Sequence, residues 1–332
     1  MERRKEPVML RNEASKILAA GILLAVCFYI PTASFGQVQW INVDADYGPL
    51  PSTVQVFKTT DSLDGKPFIA FYVKAKLKDR KLDFTVDTTL GRRLTPLQFY
   101  EKNDKPLLVV NGTFFSFATN QNLNVVIKNG EVVSHNIKSV KRKRADSTEY
   151  VIKINRSAIG IRKNRNADVA WIVTDSTKDF AKAWQFPPFR EESEVRVTGT
   201  ISDEKLPQRW RMQTAIGGGP VLVQSGTVMI FNEKEMMFTG KAINDKHPRT
   251  CMGYTGDGYL IIMAIQGRLP GIAEGATLEQ EAKLLKDLGC IEALNLDGGG
   301  SSCMLVNGKE TITPSSKGLQ RPVPAVFIIA HQ

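Results

Sequence analysis

Short apolar runs separated by polar turns recur along most of the chain, with the alternating or continuous apolar character of strands. The runs richest in β-branched and aromatic residues lie at 54–57, 68–77, 81–86 and 106–115. Asn-Gly pairs at 129–130 and 307–308 stand between apolar runs, and each predicts a two-residue hairpin turn. The chain is therefore expected to be mostly β-sheet.

Three segments carry the signals of helices. The best defined lies at 277–289, where Thr277 and Gln280 form a capping box ahead of an apolar stripe. Shorter helices are predicted at 95–103 and at 176–184. Many strands with a few interspersed helices predict an α+β fold that is built on a mainly antiparallel mixed sheet.

The N-terminal segment has a different pattern from the rest of the chain. A basic-leaning polar stretch precedes one apolar run at 17–30, and the small residues Ser34 and Gly36 follow it. This order predicts a secretory signal peptide over 1–36. The apolar run is shorter than the roughly 18 residues that cross a bilayer, so an uncleaved membrane anchor is the less favoured alternative. No stable membrane span is expected after the signal is removed.

The net charge of the chain limits the classes of molecule that it is expected to bind. The chain has a formal net charge of +10 and stays basic without residues 1–36. In an exported protein this balance favours acidic polysaccharide, phosphate-bearing glycans or lipid headgroups as partners, and no nucleic-acid motif is present. The basic run at 141–144 is expected to be a solvated loop. The predicted location is periplasmic or extracellular, at a bacterial envelope.

Three cysteines follow the predicted signal peptide: Cys251, Cys290 and Cys303. An odd number without CxxC spacing predicts neither a disulfide scaffold nor a zinc site. The sequence leaves open whether any two of them form a disulfide. The fold is therefore expected to depend on its hydrophobic core.

The stretch NLDGGGSS at 295–302 is the strongest candidate for chemistry. In a strand that ends there, alternation places Ala293, Asn295 and Asp297 on one face and the intervening leucines in the core. Three glycines allow backbone N–H groups to approach a ligand and to form an anion-binding concavity. The alternative is a tight turn stabilised by the Asn and Asp side chains, but the whole stretch favours a functional loop.

A second polar group, HPRT at 247–250, starts a strand that is predicted to form a hairpin through TGDG. In the expected register Arg249 lies opposite Ala264, and Arg268 follows four residues later on the same face. Two guanidinium groups placed in this way are able to converge on one phosphate or carboxylate. The GGGP loop at 217–220 lacks the spacing and the lysine of a nucleotide phosphate loop, so ATP and dinucleotide binding are not expected.

Five segments occur in a characteristic order: NGTFF, AIGGGP, HPRTCMGYTGDG, IQGR and GATLEQEAKLLKDLGCIEALNLDGGGSS. In these segments the chain resembles the phosphodiester glycosidase family, from which it departs at Thr113 and Gly217. The resemblance divides the chain into a signal peptide at 1–36, an N-terminal β-rich region at 37–104 and a phosphodiester glycosidase domain at 105–332.

The resemblance implies an exported hydrolase that cleaves a sugar from a sugar-1-phosphodiester, in envelope glycan or polysaccharide metabolism. Asp297 is expected to act as base or charge stabiliser, and His247 as proton donor. Arg249 and Arg268 are expected to clamp the phosphate. The remaining candidates are expected to bind substrate: Asn111, Thr250, Asn295, Gly298, Gly299, Gly300, Ser301 and Ser302. No cofactor is predicted, and a divalent metal, the sugar, the aglycone, the stereochemical outcome and the oligomeric state are left open.

Two other functions are compatible with the same residues. One is a glycan-binding or envelope-structural module with the same fold and no turnover. The other is a glycosidase that acts on an ordinary sugar–sugar bond. A binding module typically presents aromatic platforms, but the tryptophans that follow the signal are not clustered near the glycine motifs. The sequence therefore favours an enzyme.

Overall fold

The computed structural model describes residues 38–144, 146–188 and 206–331. The signal peptide predicted at 1–36 lies outside these ranges. Among the described residues, no helix has the length and apolar character needed to cross a membrane.

The strands up to residue 134 are β1 (Ile41–Asn42), β2 (Val54–Thr59), β3 (Ser62–Leu63), β4 (Lys66–Pro67), β5 (Ala70–Lys76), β6 (Leu82–Thr88), β7 (Leu108–Asn111), β8 (Val126–Lys128) and β9 (Glu131–Ser134). The next strands are β10 (Ser139–Lys143), β11 (Glu149–Lys153), β12 (Arg156–Ile161), β13 (Ala167–Thr174), β14 (Ala181–Trp184), β15 (Gln208–Trp210), β16 (Thr214–Gly217), β17 (Val221–Gln224) and β18 (Thr227–Val228). The C-terminal strands are β19 (Arg249–Thr255), β20 (Tyr259–Ile265), β21 (Cys290–Asn295), β22 (Met304–Val306), β23 (Lys309–Glu310) and β24 (Ala325–His331). The α-helices are α1 (Pro96–Lys102), α2 (Asn232–Glu235) and α3 (Leu278–Asp287), and short 3-10 turns lie at Asp44–Tyr47, Gly240–Ile243 and Gly299–Ser301.

Three large sheets contain most of these strands. The first has the order β1-β2-β5-β20-β19-β21-β17-β18, the second β15-β14-β13-β12-β16-β8-β9, and the third β23-β22-β7-β24-β6. Every strand pair among the described residues is antiparallel. The prediction of a mainly antiparallel fold with few helices is thus confirmed, whereas the α+β label fits only loosely because sheet dominates.

The three large sheets share one hydrophobic core. Val73 of the first sheet, Trp171 of the second and Phe327 of the third are among the side chains that meet in it. Helix α3 packs Leu285 against the outer face of the first sheet, and α1 packs Phe99 against the outer face of the third. Complete burial of a large apolar side chain stabilises the fold by about 1.5 to 3 kcal/mol, so the inter-sheet core dominates the stability.

Local predictions hold where turn and cap chemistry is strong. The Asn-Gly pairs at 129–130 and 307–308 join β8 to β9 and β22 to β23, and both residues of each pair have positive φ. Helices α1 and α3 both begin with complete capping boxes, as the sequence predicts for α3 from Thr277 and Gln280.

Two local predictions are wrong because strand pairing overrides them. The helix expected at 176–184 is replaced at its C-terminal end by β14, which pairs with β13. Its Ala181 and Ala183 are buried and alternate with more exposed neighbours, which is the period of a strand. The basic run at 141–144, expected as a loop, lies mostly in β10, which pairs with β11.

The TGDG hairpin differs from its expected register by one residue. Its turn contains an extra residue, with Gly258 at a φ of +88° and its N–H donating to the carbonyl of Thr255 at 3.1 Å. Arg249 therefore pairs with Ile265 and not with Ala264. Because Arg268 lies beyond the end of β20, the two arginines do not share a strand face.

Glu235, at the end of α2, is a buried carboxyl group that connects the first two sheets. Its Oε1 accepts from the N–H of Val221 at 2.7 Å, and its Oε2 accepts from the hydroxyl and the N–H of Ser157 at 2.7 and 3.2 Å. Burial raises the pKa of Glu235 to about 7, although these donors and the nearby Arg156 act to lower it. The folded state therefore favours the protonated carboxyl group more than the unfolded chain does.

Stability is expected to decrease as the pH rises from about 4.5 to about 7. In this window folded Glu235 retains a proton that the unfolded chain has released, so the free energy of unfolding falls with pH, by up to about 3 kcal/mol for this group. The free energy of unfolding, measured with urea across this pH range, should fall less steeply with pH in Glu235→Gln than in wild type. Glu233→Gln, on the exposed side of the same helix, is the control. An identical dependence of the free energy of unfolding on pH in wild type and Glu235→Gln would contradict this expectation.

Candidate functional site

The chain crosses between the large sheets at three places that meet at one point. The segments after β7, between β16 and β17, and between β21 and β22 each leave one sheet and enter another. The N–H of Asp297 donates to the carbonyl of Gly112 at 3.0 Å, and the N–H of Gly219 donates to the carbonyl of Asn295 at 2.7 Å. The motifs NGTFF, GGGP and NLDGGGSS, which are far apart in the sequence, thus form one crossing.

Close approach of the backbones explains the glycines at this crossing. A Cβ atom on Gly218 would overlap the carbonyl oxygen of Asn295, and one on Gly112 would lie 2.6 Å from Cδ1 of Ile216. Both contacts are closer than a real Cβ tolerates. Only glycine allows the crossing segments to hydrogen-bond directly to one another.

Asn111, the last residue of β7, connects the crossing to its neighbours. Its Nδ2 donates to the carbonyl of Asp297 at 2.6 Å, and its Oδ1 accepts from the hydroxyl of Thr250 at 2.8 Å and from the N–H of Cys303 at 3.0 Å. The side chain is fully buried. It has only one N–H left for a ligand, so its contacts are chiefly those of a residue that holds the site together.

The first two glycines of the turn at 298–300 make room for different neighbours. A Cβ on Gly298 would lie 2.8 Å from the backbone oxygen of Pro248. Gly299 has a φ of +61°, and a Cβ there would lie 3.0 Å from Nη2 of Arg268. The turn therefore packs against backbone on one side and against a guanidinium group on the other.

Gly300 makes room for a second guanidinium group. A Cβ at this position would overlap the guanidinium of Arg321, which donates through Nη1 to the hydroxyl of Ser301 at 3.3 Å. Arg321 is half-buried and close enough to Asp297 to stabilise its carboxylate form. Sequence reasoning missed Arg321, because it stands alone after a polar loop and no local motif marks it.

Asp297 presents a carboxyl group whose environment is unusual. Its Oδ2 is buried and has no hydrogen-bond partner among the described residues. Burial raises the pKa of Asp297 to about 7, while the hydroxyl of Ser301, the charge of Arg321 and the N–H of Gly298 act to lower it. A carboxyl group with a pKa near neutrality is suited to taking up and releasing protons.

Arg268 and Arg321 are the two cations that pack against the glycine turn. In the part of the chain that the structure describes, no carboxylate lies within ion-pairing distance of either guanidinium. Their charges are therefore available to an anion. Two such groups against one turn are suited to binding a phosphate or a carboxylate. The backbone N–H groups that the sequence predicted to join them are partly engaged, because that of Gly299 donates to the carbonyl of Pro248 at 2.8 Å and that of Ser301 to the carbonyl of Gly298 at 3.1 Å.

His247 lies beside the first of these cations. Its Nδ1 is 3.5 Å from Nη2 of Arg268. Because arginine can only donate, a hydrogen bond here requires the tautomer in which Nδ1 accepts and the proton is on Nε2. Partial burial, Arg249 and Arg268 lower the pKa of His247, while Asp245 raises it. The neutral imidazole is thus favoured over the charged form.

Arg249 is almost completely buried, and two of its five N–H groups donate to backbone carbonyls. Its Nε donates to the carbonyl of Ala276 at 3.0 Å, and its Nη2 donates to that of Asp245 at 3.3 Å. The carboxylate of Glu281 lies 4.0 Å from Nε. Burial raises the pKa of Glu281 to about 7, and Arg249 acts to lower it. The predicted pairing of Arg249 with Arg268 is thus replaced by a buried contact with α3.

Glu281 is a second residue that the sequence analysis overlooked, although a signal was present. It stands three positions after Leu278 and four before Leu285, so helical spacing places it on the apolar face of α3. A charged residue on that face indicates either a buried ion pair or a functional group.

The other predicted substrate-binding residues lie around the same turn. The Nδ2 of Asn295 donates to the carbonyl of Gly219 at 2.8 Å. The Oδ1 of Asn295 and the Oγ of Ser302 are buried and have no partner among the described residues. Thr250 and Ser301 are both buried. The structure thus brings all the predicted substrate-binding residues to one crossing.

Among the described residues, the cysteines form no disulfide and no metal-binding cluster is found. The three described cysteines are buried and carry free thiols. Among the residues at 38–144, 146–188 and 206–331, no three His, Cys, Asp or Glu side chains are grouped so as to hold a metal ion.

The sequence of this chain matches the model of one protein family. A sequence model of the family described as phosphodiester glycosidase matches residues 104–330. The SPbeta prophage-derived uncharacterized protein YomE of Bacillus subtilis (strain 168) is 39% identical over 95 residues, covering 29% of this chain and 14% of that protein. N-acetylglucosamine-1-phosphodiester alpha-N-acetylglucosaminidase of Mus musculus is 30% identical over 128 residues, covering 36% of this chain and 24% of the mouse protein. The chain thus spans no more than about a quarter of either relative.

A solved structure extends the similarity to the fold. The zebrafish N-acetylglucosamine-1-phosphodiester alpha-N-acetylglucosaminidase catalytic domain, auto-inhibited by its pro-peptide, matches with a TM-score of 0.57 and 21% identity, over 89% of both chains. At this identity the match shows a shared fold. The family match covers more than half of the sequence, including every motif that meets at the crossing. The chain belongs to the phosphodiester glycosidase family, as the resemblance of its motifs predicted.

Proposed function

We propose that this chain hydrolyses sugar-1-phosphodiesters and releases the sugar and a phosphomonoester. The observation that supports this best is the carboxyl group of Asp297, whose Oδ2 is buried. It belongs to a glycine turn that the guanidinium groups of Arg268 and Arg321 contact, and neither guanidinium has an ion-pair partner among the described residues. Cleavage at an anomeric carbon needs a carboxylate near the developing positive charge, and a phosphate leaving group needs cations. A sugar–sugar bond has no comparable use for two free cations.

In the proposed reaction, water attacks the anomeric carbon and the bond from that carbon to the bridging phosphate oxygen breaks. The electron pair of this bond leaves with the oxygen, so the phosphomonoester gains one negative charge, which Arg268 and Arg321 stabilise. The carboxylate of Asp297 takes the proton of the attacking water and later releases it to solvent. Its pKa of about 7 suits this exchange, because a general base works best when its pKa is near the ambient pH.

His247 and Arg249 are proposed to support the residues that contact the substrate. The neutral ring of His247 is proposed to orient Arg268 through Nδ1 and to offer its Nε2–H to the leaving oxygen. The contacts of Arg249 favour a positioning role, because they join the start of β19 to Ala276 and to α3. The phosphate clamp that the sequence suggests for Arg249 is a competing prediction.

We further propose that the protein is exported and that its substrate is an envelope phosphoglycan. The order of basic, apolar and small residues over 1–36 and the net charge of +10 support this. The name of the mouse relative refers to an N-acetylglucosamine-1-phosphodiester in α-linkage. The methyl phosphodiester of α-N-acetylglucosamine-1-phosphate is therefore the first substrate to test.

Wild type should release both N-acetylglucosamine and methyl phosphate from this ester, and Asp297→Asn should lower kcat by about 10³-fold. The Asn variant should keep its melting temperature, because it removes a carboxyl group that burial penalises. Sugar and phosphate are quantified separately, with Asp287→Asn, on the exposed end of α3, as the control.

Each failure of this assay identifies a different alternative. Hydrolysis of methyl α-N-acetylglucosaminide without hydrolysis of the phosphodiester would indicate an ordinary glycosidase. Binding without release of either product would indicate a glycan-binding module. Full activity in Asp297→Asn would assign the carboxylate role to another residue.

Arg268→Gln should lower activity without lowering stability, whereas Arg249→Gln should lower stability. Arg268 is exposed, so its replacement is expected to lower kcat/KM by about 10²-fold at an unchanged melting temperature. Replacement of Arg249 leaves Glu281 buried without its cation, so the free energy of unfolding should fall by about 3 kcal/mol. Urea unfolding and initial rates on the same samples separate the two effects. An Arg249→Gln variant of normal stability and no activity would support the sequence-predicted clamp instead.

A further inference from the structure

An exposed aromatic ring lies next to the candidate site. Phe117 is 64% exposed, and its ring centroid is 5.4 Å from the guanidinium carbon of Arg321 and 5.6 Å from that of Arg93. Phe115 supports it, with ring centroids 4.7 Å apart. Because Arg321 also contacts Ser301, these side chains form a continuous series that leads outward from Asp297: Arg321, then Phe117, then Arg93.

The backbone around this series is held in place from both sides. Leu94, next to Arg93, forms an isolated β-bridge with Val323, two residues after Arg321. The loop that carries Phe117 is closed by a bridge between Phe115 and Asn122. The three side chains thus lie one or two residues from paired backbone, which lowers the entropy cost of binding a ligand there.

Arg93 has guanidinium N–H groups that are available to a ligand. Among the described residues, its guanidinium contacts the rings of Phe115 and Phe117 and makes neither a hydrogen bond nor an ion pair. A guanidinium stacked on an aromatic face keeps its N–H groups at its edges and is weakly hydrated, so it remains able to bind a planar or tetrahedral oxyanion. Arg93 is half-buried and therefore partly desolvated before any ligand arrives.

We propose that Arg93, Phe117 and Arg321 form a second anion subsite, on the leaving-group side of Asp297. This proposal rests on the proposed function, in which Asp297 faces the anomeric carbon and Arg321 contacts the scissile phosphate. Groups beyond that phosphate then lie over Phe117 and reach Arg93. The preferred substrate is therefore a sugar-1-phosphodiester whose aglycone carries a further phosphate or carboxylate.

Binding of small phosphates by calorimetry tests the subsite apart from turnover. The probes are propyl phosphate, propane-1,3-diyl bisphosphate, and a propyl phosphate that carries a terminal carboxylate. Wild type should bind the bisphosphate about tenfold more tightly than propyl phosphate. Arg93→Gln should bring this ratio to within about twofold while leaving propyl phosphate binding unchanged. The carboxylate probe distinguishes a subsite for any oxyanion from one for phosphate alone.

Arg92→Gln is the matched control, since it removes the same charge from an exposed neighbour. Equal binding of propyl phosphate and bisphosphate by wild type would overturn the subsite and leave the proposed function intact. The same loss in Arg92→Gln as in Arg93→Gln would overturn it too, because the effect would then reflect net charge. Binding of none of the three probes would overturn both proposals. Phe117→Leu, which should weaken only bisphosphate binding, provides a second variant if Arg93→Gln fails to fold.

Discussion

Direct contact between three backbone segments is the constraint on which the rest of the structure depends. Each segment carries the chain from one large sheet to another, and they meet where a side chain at Gly112 or Gly218 would overlap a neighbour. The side-chain amide of Asn111 fixes the arrangement with three hydrogen bonds, two of which are buried. A shared core between three antiparallel sheets requires such crossings, and the candidate site lies on the turn that completes one of them.

The crossing also leaves buried polar atoms without hydrogen-bond partners among the described residues. Oδ2 of Asp297, Oδ1 of Asn295 and Oγ of Ser302 are all buried and lack partners within the described ranges. Each such group costs about 1 to 3 kcal/mol of stability when it has no partner, so ordered water or the proposed ligand is expected to supply the missing contacts. The charges of Arg268 and Arg321, which have no ion-pair partner among the described residues, favour an anion as the proposed ligand.

The sequence predicted what depends on local chemistry. The hairpin turns at Asn-Gly pairs and the capping box of α3 depend on neighbouring residues and are confirmed, whereas the functional role of the 295–302 stretch stays a prediction. It could not predict what depends on register or on distant contacts. One extra residue in the TGDG turn moved Arg249 away from its expected partner, and Arg321 reaches the glycine turn from a loop without a motif. A charged residue on an apolar helix face, Glu281, was a readable signal that periodicity could have used.

The central claim is that the anion site at this crossing activates the bond between the anomeric carbon and phosphate oxygen. Hydrolysis in ¹⁸O-labelled water tests it directly, because mass spectrometry of the released phosphomonoester reports which bond was broken. Attack on the anomeric carbon leaves the phosphomonoester without label, which is the predicted result. One ¹⁸O atom in the phosphomonoester would show cleavage between phosphorus and oxygen, and it would contradict the account.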